Sequence, residues 1–243
     1  ASLEINSEKG NLEITQESGR LESSGRIQLG GKSISLFGTI TSTATTDSAD
    51  GFEFASATPY ERDEAAFTPD FDAYEVNIGA SDTVTITGTL DLAGSLLVAA
   101  GNKVSIYDTT LEVTGTGNRL HVVSDKNISL GRTATASGHA SYPDGQRYQQ
   151  GGLVRAEAKV HLQAADLIDV GSAVQLMSSG QDSRIEIESG DLDVVGSIYA
   201  GAKLASDSET IHWTATGAIV DIDVTELVTL GGLGVDNDTG QQV

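Results

Sequence analysis

Apolar and polar residues alternate along most of the chain in short runs rich in Val, Ile, Thr and Leu, divided by Gly, Asn, Asp and Ser. Thr83-Val84-Thr85-Ile86-Thr87 and Arg184-Ile185-Glu186-Ile187-Glu188 are two such runs. Successive side chains of a strand point to opposite faces, so a period of two marks half-buried β-strands. Helical periodicity is scarce. Its best stretch, residues 60–66, is short and acidic and runs into Pro69. The pattern predicts an all-β protein.

The runs recur. An apolar–polar–apolar triplet appears at Leu12, Ile34, Val84, Val104, Ile128, Val160, Ile185 and Ile211, with intervals of 22, 50, 20, 24, 32, 25 and 26 residues. Two insertions account for the long intervals, which leaves a period of 20 to 26. Repeats of this length with one or two strands each fit a solenoid and are too short for propeller blades. The predicted fold is therefore a single-stranded parallel β-helix, a β-solenoid of about 8–9 coils (roughly 4.8 Å per coil), with the eight triplets stacked so that they form two inward ladders, one of them Leu12–Ile34–Val84–Val104–Ile128–Val160–Ile185–Ile211. One domain spans residues 1–243, and residues 231–243 read as a tail or the start of a following segment.

The insertions fall at 43–72 and 139–150. All three prolines (Pro59, Pro69, Pro143) lie in them, as they must if the coils donate hydrogen bonds on both sides. The first insertion also carries four of the five phenylalanines. Loops leaving a solenoid commonly form its binding face, so Phe52, Phe54, Tyr60, Phe67, Phe71, Tyr142 and Tyr148 are candidate contacts for a glycan or cell surface.

Charge narrows the partners. With 35 acids against 14 bases the net charge is −21, which repels nucleic acid and anionic lipid. No cysteine is present, which excludes disulfides, thiolate metal sites and cysteine nucleophiles. No run approaches the roughly 18 apolar residues of a membrane helix. The chain begins with alanine and its one methionine is Met177, which suggests a processed chain or a piece of a longer one.

Gly25-Arg26-Ile27-Gln28-Leu29-Gly30, Gly88-Thr89-Leu90-Asp91-Leu92-Ala93-Gly94 and Gly190-Asp191-Leu192-Asp193-Val194-Val195-Gly196 resemble the coils of filamentous-haemagglutinin-type giant bacterial surface proteins. That family's Asn-Pro-Asn-type secretion motifs are missing, so the resemblance is to a shaft segment. It implies a right-handed parallel β-helix, export to the cell surface or beyond, and a role in adhesion or matrix building. Gly231-Gly232-Leu233-Gly234-Val235-Asp236-Asn237-Asp238 resembles one calcium-binding nonapeptide of the RTX type, which would make Asp236 and Asp238 calcium ligands. A plain glycine-rich turn is the competing reading, because no second copy follows.

If the coils stack in register, the outward centres of consecutive triplets put His161, Glu186 and His212 in one column. Two imidazoles flanking a carboxylate can hold a divalent metal; a surface hydrogen-bond ladder is the alternative. Trp213, also on a triplet, is expected in the core. Polysaccharide cleavage, the trade of many β-helices, finds little support. The nearest approach to the Gly-His-Gly motif of polygalacturonases is Gly138-His139-Ala140, and from residue 204 onward there are seven acids and no Lys or Arg.

The sequence therefore predicts a non-enzymatic, structural or adhesive segment of a large secreted or cell-surface protein. It would be a stiff rod that presents its loops to a matrix or glycan, flanked by further coils of the same chain. The alternatives are a carbohydrate-acting enzyme, hydrolase or lyase, and an extracellular filament subunit stacked end to end on identical copies.

Overall fold

The computed structural model describes residues 3–15, 18–44, 74–137, 141, 143–204, 211–213 and 217–231. Of the predicted contact residues, Phe52, Phe54, Tyr60, Phe67, Phe71 and Tyr142 lie outside these, as do Asp236 and Asp238. Every regular element among the described residues is a strand, and no helix there is long and apolar enough to cross a membrane.

The main sheet connects 17 strands, and its pairings are parallel. Three apolar ladders cross it. The first runs Leu3, Ile27, Val76, Leu96, Leu120, Val160, Ile185, Val220. The second runs Leu12, Ile34, Val84, Val104, Ile128, Ile168, Leu192, Val228. The third runs Leu21, Ile40, Leu90, Leu111, Val154, Leu176, Ile198. All three face one continuous core, in which Ile27, Ile34, Val84, Leu96, Val104 and Val160 are fully or almost fully buried. Leu, Ile and Val fill these rows because branched side chains pack well across a pleated wall.

This arrangement corrects the ladder drawn through all eight triplets. Leu12, Ile34, Val84, Val104 and Ile128 do share a ladder, but Val160 and Ile185 belong to another wall. Ile211 sits in an antiparallel pair, strand Ala202–Leu204 against strand Ile211–Trp213. A triplet with an apolar residue on each side of a polar one occurs on every half-buried strand, so it cannot tell one wall from the next.

The open solenoid is corrected too. The parallel sheet does not stand open: 11 of its strands turn through 305° about an axis, so that it nearly closes on itself, while the register lays successive windings of the chain one on another along three walls. Spacing and alternation specify parallel neighbours and an inward face; they do not specify how far the sheet wraps before it meets itself. The haemagglutinin-like resemblance, which rested on an open stack of repeats, falls with the solenoid.

Close approach of backbones fixes one corner of the wall. Gly38, Gly88, Thr109 and Gly152 follow one another in register. Gly88 has φ +116°, and a Cβ there would lie 2.3 Å from the Gly38 carbonyl oxygen. Only glycine accepts both conditions. Part of the second expected insertion is regular: strand Arg147–Gln150, which carries Tyr148, pairs antiparallel with strand Arg132–Thr135.

Two regions depart from the one-face-buried rule. Strand Leu96–Ala100 is apolar on both faces, and Leu97 packs with Tyr74 and Val123 in a second, smaller cluster outside the wall. At the other extreme, inward members of the last strands, among them Val220, Ile222, Val228 and Leu230, are exposed. Trp213, expected in the core, is 71% exposed.

Candidate metal centre

Four parallel strands build the site: Arg119–Ser124, Lys159–Ala164, Arg184–Ser189 and Ile219–Val224. Their inward positions feed the first apolar ladder. Alternation then sends the intervening polar residues outward in three rows. One row is Arg119, Lys159, Arg184; the next is His121, His161, Glu186, Asp221; the third includes Gln163, Glu188 and Asp223.

His161, Glu186 and Glu188 each bring one ligand atom, and these atoms lie within 4.8 Å of one another. His161 is buried and both glutamates are partly buried. His161 Nε2–H donates to Glu188 Oε1 at 3.2 Å, and Gln163 Nε2 donates to the other oxygen at 3.2 Å. The hydrogen bond from His161 is the main reason the Glu188 carboxyl is held below the ordinary glutamate range; burial opposes it, and the charges of His161 and Lys159 add to it. Glu186 is engaged on both oxygens. Oε2 pairs with the Lys159 ammonium and Oε1 lies 2.9 Å from Arg184 Nε, while Arg184 also bridges to Asp221. Burial pulls the Lys159 pKa down and its bond to Glu186 offsets part of that.

Behind this cluster lies a second histidine. The His121 ring stacks on His161, and Tyr74 Oη lies 3.0 Å from His121 Nδ1. The Arg119 guanidinium sits over the Tyr74 ring, 5.4 Å from its centroid. Burial, then His161, Lys159 and Arg119, push the His121 pKa down to about 2, so its imidazole is neutral. A rigid neutral neighbour of this kind fixes the plane of a ligating imidazole.

The donor set, mixed nitrogen and oxygen, suits a divalent transition-metal ion. One imidazole and two carboxylates match zinc or manganese better than calcium, which takes six to eight oxygens. The ion must share Glu186 with cations already there. A dication about 4 Å from the Lys159 ammonium is repelled by on the order of 8 kcal/mol at an effective dielectric of about 20, so occupancy requires the lysine or the arginine to move off.

The structure sorts the predicted ligands. His161 and Glu186 are register neighbours, as the column required. His212 is not: it lies opposite Lys203 in the antiparallel pair, and Asp221 occupies the place beside Glu186. Glu188 was missed, although it stands two residues from Glu186 on the same strand face. His121 is absent from the predicted column as well, although Leu120-His121-Val122 is another apolar–polar–apolar triplet.

Comparison with protein-family models, with curated proteins and with solved structures finds no match. The class is therefore defined by fold and site alone: an all-β barrel carrying a His/Glu cluster able to coordinate a metal. That cluster corrects the non-enzymatic adhesive rod. A simple rod has no need of an imidazole and two carboxylates converging on one point, and this arrangement is consistent with binding or catalysis.

Proposed function

We propose that the protein is a metal-dependent binding or catalytic barrel in which His161, Glu186 and Glu188 hold one divalent transition-metal ion. The convergence of three donor atoms of two chemical types within 4.8 Å carries this reading. Three protein ligands leave positions open on such an ion, and a Lewis acid with open positions polarises whatever oxygen it receives. His121 and Gln163 orient the imidazole and the Glu188 carboxylate.

Titration calorimetry of chelator-treated protein with zinc, manganese and calcium tests the site. Zinc or manganese should bind at one site per chain, more tightly than calcium, and Glu188→Gln should weaken binding about 10-fold or more. Absence of heat with every ion, together with melting curves unmoved by metal or chelator, would overturn it.

A second reading, glycoside hydrolysis, is supported by Glu186 and Glu188 sharing one strand face with oxygens within 4.8 Å. Retaining glycosidases place their carboxyls roughly 5–5.5 Å apart. Release of reducing sugar from a glycan panel, lost in Glu186→Gln, is its expected outcome; no release from any glycan counts against it.

A further inference from the structure

We propose that this centre takes an oxyanion as the companion of its metal, a carboxylate or phosphate group held jointly by the ion and by Lys159 and Arg184. The inference rests on the metal reading above. Its basis is where the chain puts its few cations. Against 35 acids there are 14 lysines and arginines, and three of them, Arg119, Lys159 and Arg184, stand side by side in register on neighbouring strands. They form the row directly beside His161 and Glu186.

Without metal these cations are balanced. Lys159 and Arg184 each take one oxygen of Glu186, and Arg184 also takes Asp221. Across the four strands the outward rows hold three cations against four carboxylates, Glu186, Glu188, Asp221 and Asp223. A dication turns that surplus from negative to positive. It also draws on Glu186, the carboxylate that Lys159 and Arg184 share, while Arg184 keeps Asp221. Three cations in a row beside a dication then favour an added negative charge. An oxyanion supplies it, with one oxygen on the metal and the others on Lys159 and on the planar Arg184 fork, which suits carboxylate and phosphate geometry. Metal and anion then bind cooperatively, each raising the affinity of the other by the same factor.

The test measures manganese affinity by competition with a chromophoric chelator in the presence of glucose, glucuronate or glucose 6-phosphate. These sugars differ in carrying no charge, a carboxylate or a phosphate. Glucuronate or glucose 6-phosphate should tighten manganese binding about 10-fold, which of the two does so naming the source of the oxyanion, while glucose leaves it unchanged. Arg184→Gln removes a competitor for Glu186, so it should tighten manganese binding in the absence of sugar and abolish the anion effect. Lys103→Gln, outside the three rows, should change neither. Manganese binding that ignores both anions overturns the inference and leaves the metal site standing. No manganese binding at all overturns the metal reading and this inference with it. Circular dichroism checks that Arg184→Gln is folded, and the wild-type comparison of the three sugars decides the matter without it.

Discussion

The rings of His121 and His161 lie parallel on adjacent strands, 4.4 Å between centroids and 4° between planes. A stack this close tolerates two charged rings poorly, and burial denies His121 the proton. The unfolded chain has no such restraint, since an ordinary histidine titrates near 6.5.

That contrast sets an acid limit on stability. With the folded pKa lowered to about 2, the unfolded state binds the extra proton at every pH between that value and about 6.5, so stability falls as pH falls through this window. The slope from His121 approaches about 1.4 kcal/mol per pH unit. His121→Phe keeps a ring in the stack and should flatten the acid limb of urea midpoints measured from pH 7 to pH 4. Parallel limbs for the two proteins would contradict the buried neutral imidazole.

Asp169 carries the opposite sign. It stands in register with Asp193, and burial followed by the Asp193 charge raises its pKa, while a hydrogen bond from Ser129 partly offsets both. A carboxyl whose folded pKa is raised costs stability above that pKa and costs less as pH falls through it. Asp169→Asn should therefore stabilise the protein at pH 7 by a few tenths to about 1 kcal/mol, discounted for its partial exposure, and the gain should vanish in acid. Denaturation at pH 7 and pH 3 decides; a loss at pH 7 refutes it.

Two glycines with positive φ separate backbone strain from crowding. At Gly145 (φ +84°) a Cβ meets nothing within 4 Å, whereas at Gly88 it meets the Gly38 backbone. Gly145→Ala should cost roughly 1–2 kcal/mol, the left-handed penalty. Gly88→Ala should cost clearly more, because the ladder must also shift. Equal urea midpoints for the two variants would mean that the corner yields to a methyl group.

Trp213 reports on the antiparallel pair. Exposed, and in edge contact with Tyr199 at 6.3 Å and 75°, it should show water-like emission, strong iodide quenching and little change on unfolding. Blue-shifted emission protected from iodide would place it in a core after all.

The candidate site was legible in part, and for a definite reason. His161 and Glu186 are both polar centres of apolar-flanked triplets, and neighbouring strands in register bring such centres together. Glu188 was within reach too, since period two puts it on the face of Glu186. His212 shows the limit. Its triplet looks like the others, yet it pairs antiparallel, because a triplet records which side of a strand is apolar and nothing about the partner strand's direction. Nothing local in the sequence ties Lys159 to Arg184; the register sets both against one carboxylate.

Alternation by itself determined that the chain is all-β and which side chains turn inward; these are local properties, fixed by the opposite pointing of neighbouring side chains. The 20-to-26-residue spacing of the triplets added that Leu12, Ile34, Val84, Val104 and Ile128 succeed one another in one row. The tertiary structure alone decided that the rows are three, that Val160 and Ile185 belong to a different wall, that the sheet wraps almost shut, and that His161, Glu186 and Glu188 converge. Those outcomes depend on which strands pair and how far the sheet turns, and both are settled by contacts between residues 20 to 50 positions apart, where the chain's local chemistry has no say.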